Sequence, residues 1–223
     1  MAKLFFFGDS ITAGAWDSQG GWVNRFIGQI MKKSIAPELA DDSFYCMPYN
    51  MGVAGDTAPD IVRRLSAEVK TRTYNDSPDQ SVQFVFAIGV NDSVQYAHDL
   101  SNVYTDEEFQ LDLEVIIEKA RHHTNNISFI GLLPVDEDIT MPMKWEPTKG
   151  YSNKSVQHFN KMIADKCAQH DLPFLNLYDA WLKMDDYKSY LSDGLHPNDK
   201  GHSLMTQQIS RFLLNEAFDK FHS

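Results

Sequence analysis

Cysteine is scarce in this chain. Cys46 and Cys167 are the two among 223 residues, and nothing near them has metal-ligand spacing. That argues against a disulfide framework and fits a reducing compartment, with both residues read as buried apolar thiols. Positive charge is also short: 20 Lys and Arg stand against 31 Asp and Glu, a net charge of -11. Such a surface repels phosphate backbones and anionic headgroups, which makes nucleic acid and a strongly anionic membrane poor partners. Long apolar runs are missing as well. No segment reaches the roughly 18 residues of a membrane span. Lys3 precedes four apolar residues before Gly8-Asp9, where an export signal needs about 7 to 15. The expectation is a soluble, cytoplasmic chain with no integral membrane segment. The sequence has no Walker loop, no H-E-x-x-H and no cysteine–histidine cluster. Thr12 stands where a G-x-S-x-G elbow would close, which argues against the α/β-hydrolase fold.

What is present is enough for a sizeable core: 43% of residues are hydrophobic and 12% aromatic. There is no repeat, low-complexity tract or Pro/Ser linker, so residues 1–223 are expected to form one domain. Leu4-Phe5-Phe6-Phe7 run straight into Gly8-Asp9-Ser10, the pattern of a buried strand that stops at a turn. Further strands are predicted over Phe44–Met51, with Pro48 making it irregular or an edge, and over Val82–Ile88, Ile127–Leu133 and Pro173–Tyr178. Helical spacing joins Trp22, Phe26, Ile27, Ile30 and Met31, with Pro37 ending that helix. It recurs at Ile61, Leu65 and Val69, and again at Phe109, Leu113, Ile116, Ile117 and Ala120 behind a Thr105-x-x-Glu108 capping box. Two more helices carry Val156, Phe159, Ile163 and Cys167, and Met205, Ile209, Phe212, Leu213 and Ala217. Tyr74 to Gln80 is a polar loop, and Val135 to Gly150 is the longest irregular segment. Alternating strands and helices predict an α/β fold: a five-stranded parallel sheet covered on both faces.

In such a sheet the loops at the carboxyl edge hold ligands. Small or polar residues gather in four of them: Gly8-Asp9-Ser10, Gly52 to Thr57, Gly89 to Asp92, and Asp193-Gly194-Leu195-His196-Pro197. Ser10 is the candidate nucleophile, and a hydroxyl needs a base. Of eight histidines, His196 has the best context, because Asp193 lies three residues earlier with Gly194 to allow a tight turn. The carboxylate can then meet Nδ1 and leave Nε2 for the serine proton. Candidate donors for the developing oxyanion are the backbone N–H groups of Ser10 and Gly55 and the side-chain amide of Asn91. Taken singly, each of these is an ordinary cap or turn residue. Asp9 reads as structural, holding its loop through backbone N–H groups. The other seven histidines are assigned no role.

Taken together and in order, the four blocks resemble those of the SGNH hydrolases, the superfamily of GDSL-type esterases and lipases, with Ile11 in place of the leucine of that name. The resemblance covers nearly the whole chain. It implies Ser10 as nucleophile, Asp193 and His196 as orienter and base, Gly55 and Asn91 as oxyanion donors, and a flavodoxin-like three-layer α/β/α fold. Gly52 stands in the same block as Gly55; the family's donor precedes an Asp/Asn–Thr pair, which favours Gly55.

The expected activity is hydrolysis of carboxylic esters through an acyl-enzyme, with no metal and no cofactor. Short-to-medium acyl esters, acetylated sugars, lysophospholipids and thioesters all suit that machinery as small-molecule substrates. Homo-oligomer formation is left open by the sequence. The rival reading is a flavodoxin-like flavin- or phosphate-binding module, with Ser10 to Gly14 wrapping a phosphate. Met141, Met143 and Trp145 belong either to a loop packed on itself or to the apolar wall of an acyl pocket.

Overall fold

The structure is a computed structural model, and it describes residues 2–34, 46–73 and 81–214. In chain order its elements are β1 (Ala2–Gly8), α1 (Ser10–Ala13), α2 (Gly21–Ser34), β2 (Cys46–Gly52), α3 (Ala58–Arg72) and β3 (Ser81–Ala87). There follow β4 (Gln95–Tyr96), α4 (Asp106–Arg121), β5 (Ile127–Ile130), α5 (Glu137–Thr140), β6 (Lys149–Gly150) and α6 (Asn153–Gln169). The chain continues with β7 (Phe174–Leu175), α7 (Leu177–Leu182), a 3-10 turn over Tyr187–Tyr190 and α8 (Asp199–Phe212). The main sheet is parallel and has the order β2-β1-β3-β5-β7. Counting its strands alone, this is the flavodoxin-like order 2-1-3-4-5. Its connections diverge between β1 and β3, and such a divergence opens a crevice at the carboxyl edge.

The alternation of β1 explains the layers. Phe5 and Phe7 point to one face, where they meet α3, α4 and α6; Leu4 and Phe6 point to the other, where they meet α2, α7 and α8. All four are fully buried. On the first face phenylalanine rings run across the strands, Phe7 to Phe86 at 5.7 Å and Phe86 to Phe129 at 5.1 Å. On the second, Phe6 meets Trp22 and Phe26 edge-on at 5.4 and 5.5 Å. Burying each such ring contributes about 1.5–3 kcal/mol. The pair geometry adds roughly 0.5–1.5 kcal/mol per contact. Cys167 belongs to the first core and Cys46 to the second, so the sheet separates the two thiols.

Pro48 sits in β2 at the edge of the sheet, where a missing N–H costs no ladder bond. The strand read over Ile127–Leu133 is shorter, ending at Ile130, because Asn160 Oδ1 takes the Leu132 N–H at 2.9 Å in place of a strand partner. Only Phe174 and Leu175 of the fifth predicted strand pair; Asn176 then caps α7, which takes Leu177 and Tyr178. The segment Val135 to Gly150 is not wholly irregular: it holds α5, and its β6 pairs antiparallel with β4. Pro37, Phe44, Tyr45, residues 74–80 and Ala217 lie outside the described residues. Among those described, no helix is long and apolar enough to cross a membrane.

Candidate active site

Ser10 opens α1 directly after β1. Asp9 caps that short helix, its Oδ1 accepting the Ile11 N–H at 2.9 Å. Two glycines let α1 sit so low on the sheet edge. A Cβ on Gly8 would stand 2.4 Å from the Ala87 carbonyl oxygen, and one on Gly52 would stand 2.1 Å from the Ala13 nitrogen. Both contacts are with backbone, which cannot step aside.

From the other end of the chain, the loop before α8 brings the histidine. Ser10 Oγ lies 2.8 Å from His196 Nε2, and His196 Nδ1 lies 2.8 Å from Asp193 Oδ2. The carboxylate requires a proton on Nδ1, so Nε2 is the acceptor facing the serine. Asp193 is held by its own turn: Oδ1 accepts the N–H groups of Leu195 (3.1 Å) and His196 (2.8 Å). Burial alone would raise the Asp193 carboxyl, but the ring and backbone bonds from His196 outweigh it and hold it at about 2. It is therefore an anion throughout the neutral range.

Gly55 and Asn91 line the same cavity as Ser10 and His196. Gly55 has φ +84 with open space around its missing Cβ, so a left-handed turn and not crowding calls for glycine there. Gly52 does not line the cavity; its N–H is taken by Asn50 Oδ1 at 3.0 Å and its bare Cα packs against α1. The two glycines of this block thus divide into a packing residue and a cavity residue. The Asn91 amide is fixed at both ends. Its Nδ2 donates to the Asp56 carbonyl at 2.9 Å, and its Oδ1 accepts the Tyr151 hydroxyl at 3.1 Å. One Nδ2 hydrogen is left for another acceptor.

Beneath the site lie two buried carboxyls. Burial raises Asp9 to about 6, against the pull of the Ile11 N–H and nearby His196. Burial also raises Asp92 to about 7, although its Oδ1 accepts the Ala58 N–H at 2.9 Å. Asp92 Oδ2 has no partner among the described residues. Arg64 ties the loops together: it pairs with Asp56 at 2.7 Å and donates to the Met51 and Gly8 carbonyls at the ends of β2 and β1.

The cavity over the serine measures about 530 Å³, within the range for small-molecule sites. Its apolar wall includes Ala54, Val94, Met143, Tyr151 and Leu195, and Trp16 and Trp145 stand exposed at its mouth. Met143 and Trp145 therefore face the cavity, whereas Met141 packs against Gly150. Sequence reasoning missed Trp16, Tyr151 and Arg64. Trp16 is an aromatic with a polar tip six residues after Ser10, a local signal that Tyr151, far from every block, and Arg64, inside α3, did not offer. Among the described residues no three His, Cys, Asp or Glu side chains are grouped to hold a metal ion. The loop after β1 does not suit a phosphate, since Asp9 sets a carboxylate on the amides that would bind it. His202, one of the histidines given no role, is buried between the Trp22 N–H and the Ala15 carbonyl.

Comparisons with known proteins bear on the fold and the family. A solved lipase/acylhydrolase from Enterococcus faecalis is 26% identical, with a TM-score of 0.69 over 96% of this chain and 95% of that one. An acetylxylan esterase from Geobacillus stearothermophilus has a TM-score of 0.65 over 95% and 93%, and at 17% identity the likeness is one of fold. A GDSL esterase/lipase of Oryza sativa subsp. japonica is 24% identical over 152 residues, which is 65% of this chain and 58% of that relative's length. The model of the GDSL-like lipase/acylhydrolase family matches residues 6–204. The chain belongs to the GDSL-like lipase/acylhydrolase family, a family of carboxylic ester hydrolases.

Proposed function

We propose that this protein cleaves carboxylic esters of small molecules through an acyl-enzyme on Ser10. His196 Nε2 takes the hydroxyl proton as Oγ attacks the carbonyl carbon. Asp193 holds the ring in the required tautomer and stabilises the imidazolium. The Ser10 and Gly55 N–H groups and the Asn91 amide receive the oxyanion. His196 then returns the proton to the leaving alcohol and activates water to release the acid, which regenerates Ser10. The observation that carries the reading is the unbroken line Ser10 Oγ, His196 Nε2, His196 Nδ1, Asp193 Oδ2, with 2.8 Å at each hydrogen bond. Residues 1–223 are read as one domain, because serine and base come from opposite ends of the chain.

The substrate reading is a short-to-medium acyl ester, with acetylated sugars, lysophospholipids and thioesters as the classes to separate. The apolar lining near Ser10 suits a compact acyl group, and the two tryptophans at the mouth offer faces to an alcohol moiety. The test is a panel of p-nitrophenyl esters from acetate to palmitate, with an acetylated sugar and an acyl-CoA, on the wild type and Ser10→Ala. Hydrolysis is expected on the shorter esters and should fall by at least about 10³ in the variant. Equal rates in the two proteins would remove Ser10 from the mechanism.

A further inference from the structure

Trp16 occupies a position that an unconstrained tryptophan would avoid. Its backbone is left-handed, with φ +64, and 62% of the residue is exposed. A large side chain there is strained and persists only where its surroundings over-determine it. They do so on both sides. The Ala15 carbonyl is held by His202 of α8. Asp17 is gripped by two bonds from Arg25 at 2.7 Å, and Ser18 by two bonds to Asp199 at 2.8 and 2.6 Å. Asp199 and His202 follow closely on His196, so these bonds staple the Trp16 loop to the loop that carries the base.

The strained conformation aims the indole at the site. Trp16 Nε1 lies 2.8 Å from Asp193 Oδ2, the oxygen that also faces His196 Nδ1. It is also 3.2 Å from Nδ1 itself. In the tautomer fixed by Asp193, Nδ1 is a donor, so the indole proton goes to the carboxylate. The ring stands edge-on to the imidazole, 82° between planes, with centroids 6.2 Å apart.

We propose that Trp16 is a positioning residue for the base: its indole N–H shares Asp193 Oδ2 with His196, fixing the carboxylate and moderating its pull on the imidazole. This rests on the catalytic reading of Ser10, His196 and Asp193 given above. Trp16→Phe alters none of the other titratable and charged groups around the pair. They are Asp9 at the head of α1, the Asp17–Arg25 pair, His202 on α8, Tyr151, and Glu146 with Lys149 at the mouth.

The test is Trp16→Phe, which keeps a ring and removes the N–H. Protein is normalised by titrating Ser10 with a fluorophosphonate. An anion with one donor fewer attracts the imidazolium more strongly, so the acid limb of kcat/KM should move up by about half a pH unit. The plateau should fall about fivefold through kcat with KM nearly constant. Independently, the indole proton signal that disappears in Trp16→Phe should move when Asp193 is replaced by Asn. A variant with the wild-type limb and plateau, a change confined to KM, or an indole proton indifferent to Asp193→Asn overturns the proposal. Ser10→Ala run alongside separates the outcomes: if the wild type has no Ser10-dependent activity, the underlying catalytic reading has failed instead.

Discussion

Removing the Tyr151 hydroxyl should slow the reaction only while Asn91 is there to be held. The Asn91 amide is clamped between the Asp56 carbonyl at 2.9 Å and the Tyr151 hydroxyl at 3.1 Å. Asn91→Ala deletes an oxyanion donor on the proposed reading, and should cost roughly 10²–10³ in kcat, about 3–4 kcal/mol. Tyr151→Phe leaves the donor and loosens its anchor. One neutral hydrogen bond contributes about 0.5–1.5 kcal/mol, which corresponds to a roughly two- to tenfold drop in kcat. The effects should not add: in the Asn91→Ala background, Tyr151→Phe should change kcat by less than about twofold. Initial rates on p-nitrophenyl acetate across the four proteins complete the cycle. If Tyr151→Phe costs the same with and without Asn91, the clamp is not how Tyr151 acts, and its place in the cavity wall would have to explain the loss.

Asp92, raised to about 7 in the fold from an ordinary 3.8, makes stability fall with rising pH. Its contribution is fully present below about pH 4 and is lost as pH climbs through 7. Urea melts at pH 5 and 8 should show the wild type losing about 2–3 kcal/mol relative to Asp92→Asn over that interval; parallel curves would contradict the raised carboxyl. Asp193, held at about 2, stays charged. Protonation of Asp193 should therefore add no step to the pH profile of kcat/KM between about pH 3 and 5, well below the raised Asp9 carboxyl at about 6, and a separate step there would count against the assignment. Gly52→Ala, with a Cβ 2.1 Å from backbone, should lower stability by at least about 2 kcal/mol. Gly55→Ala meets no atom within 4 Å and should lose only about 1–2 kcal/mol of left-handed strain; thermal melts rank the two.

The sheet was legible where the pattern was local. Leu4 to Phe7 announce a strand buried on both faces, and the Asp193-Gly194 turn places its carboxylate on a histidine three residues away, both matters of short-range chemistry. Strand ends were less so. Ile127–Leu133 looks uniformly apolar, yet Asn160 captures the Leu132 N–H and halts the ladder. The missed site residues are missed for the same physical reason. Trp16 and Asp193 are 177 positions apart, Tyr151 and Asn91 are 60, and Arg64 reaches 56 residues back to the Gly8 carbonyl. No local rule of spacing registers a hydrogen bond across such separations.

The 186-residue interval between Ser10 and His196 has a consequence for synthesis. A ribosome finishes the strand before Ser10 long before it reaches His196, and α8 pins the tryptophan-bearing loop. On the proposed mechanism, a nascent chain would thus carry an inert alcohol until the segment with His196 emerged and docked. Fragments cut off ahead of residue 193 should be silent toward esters even if their sheet has formed.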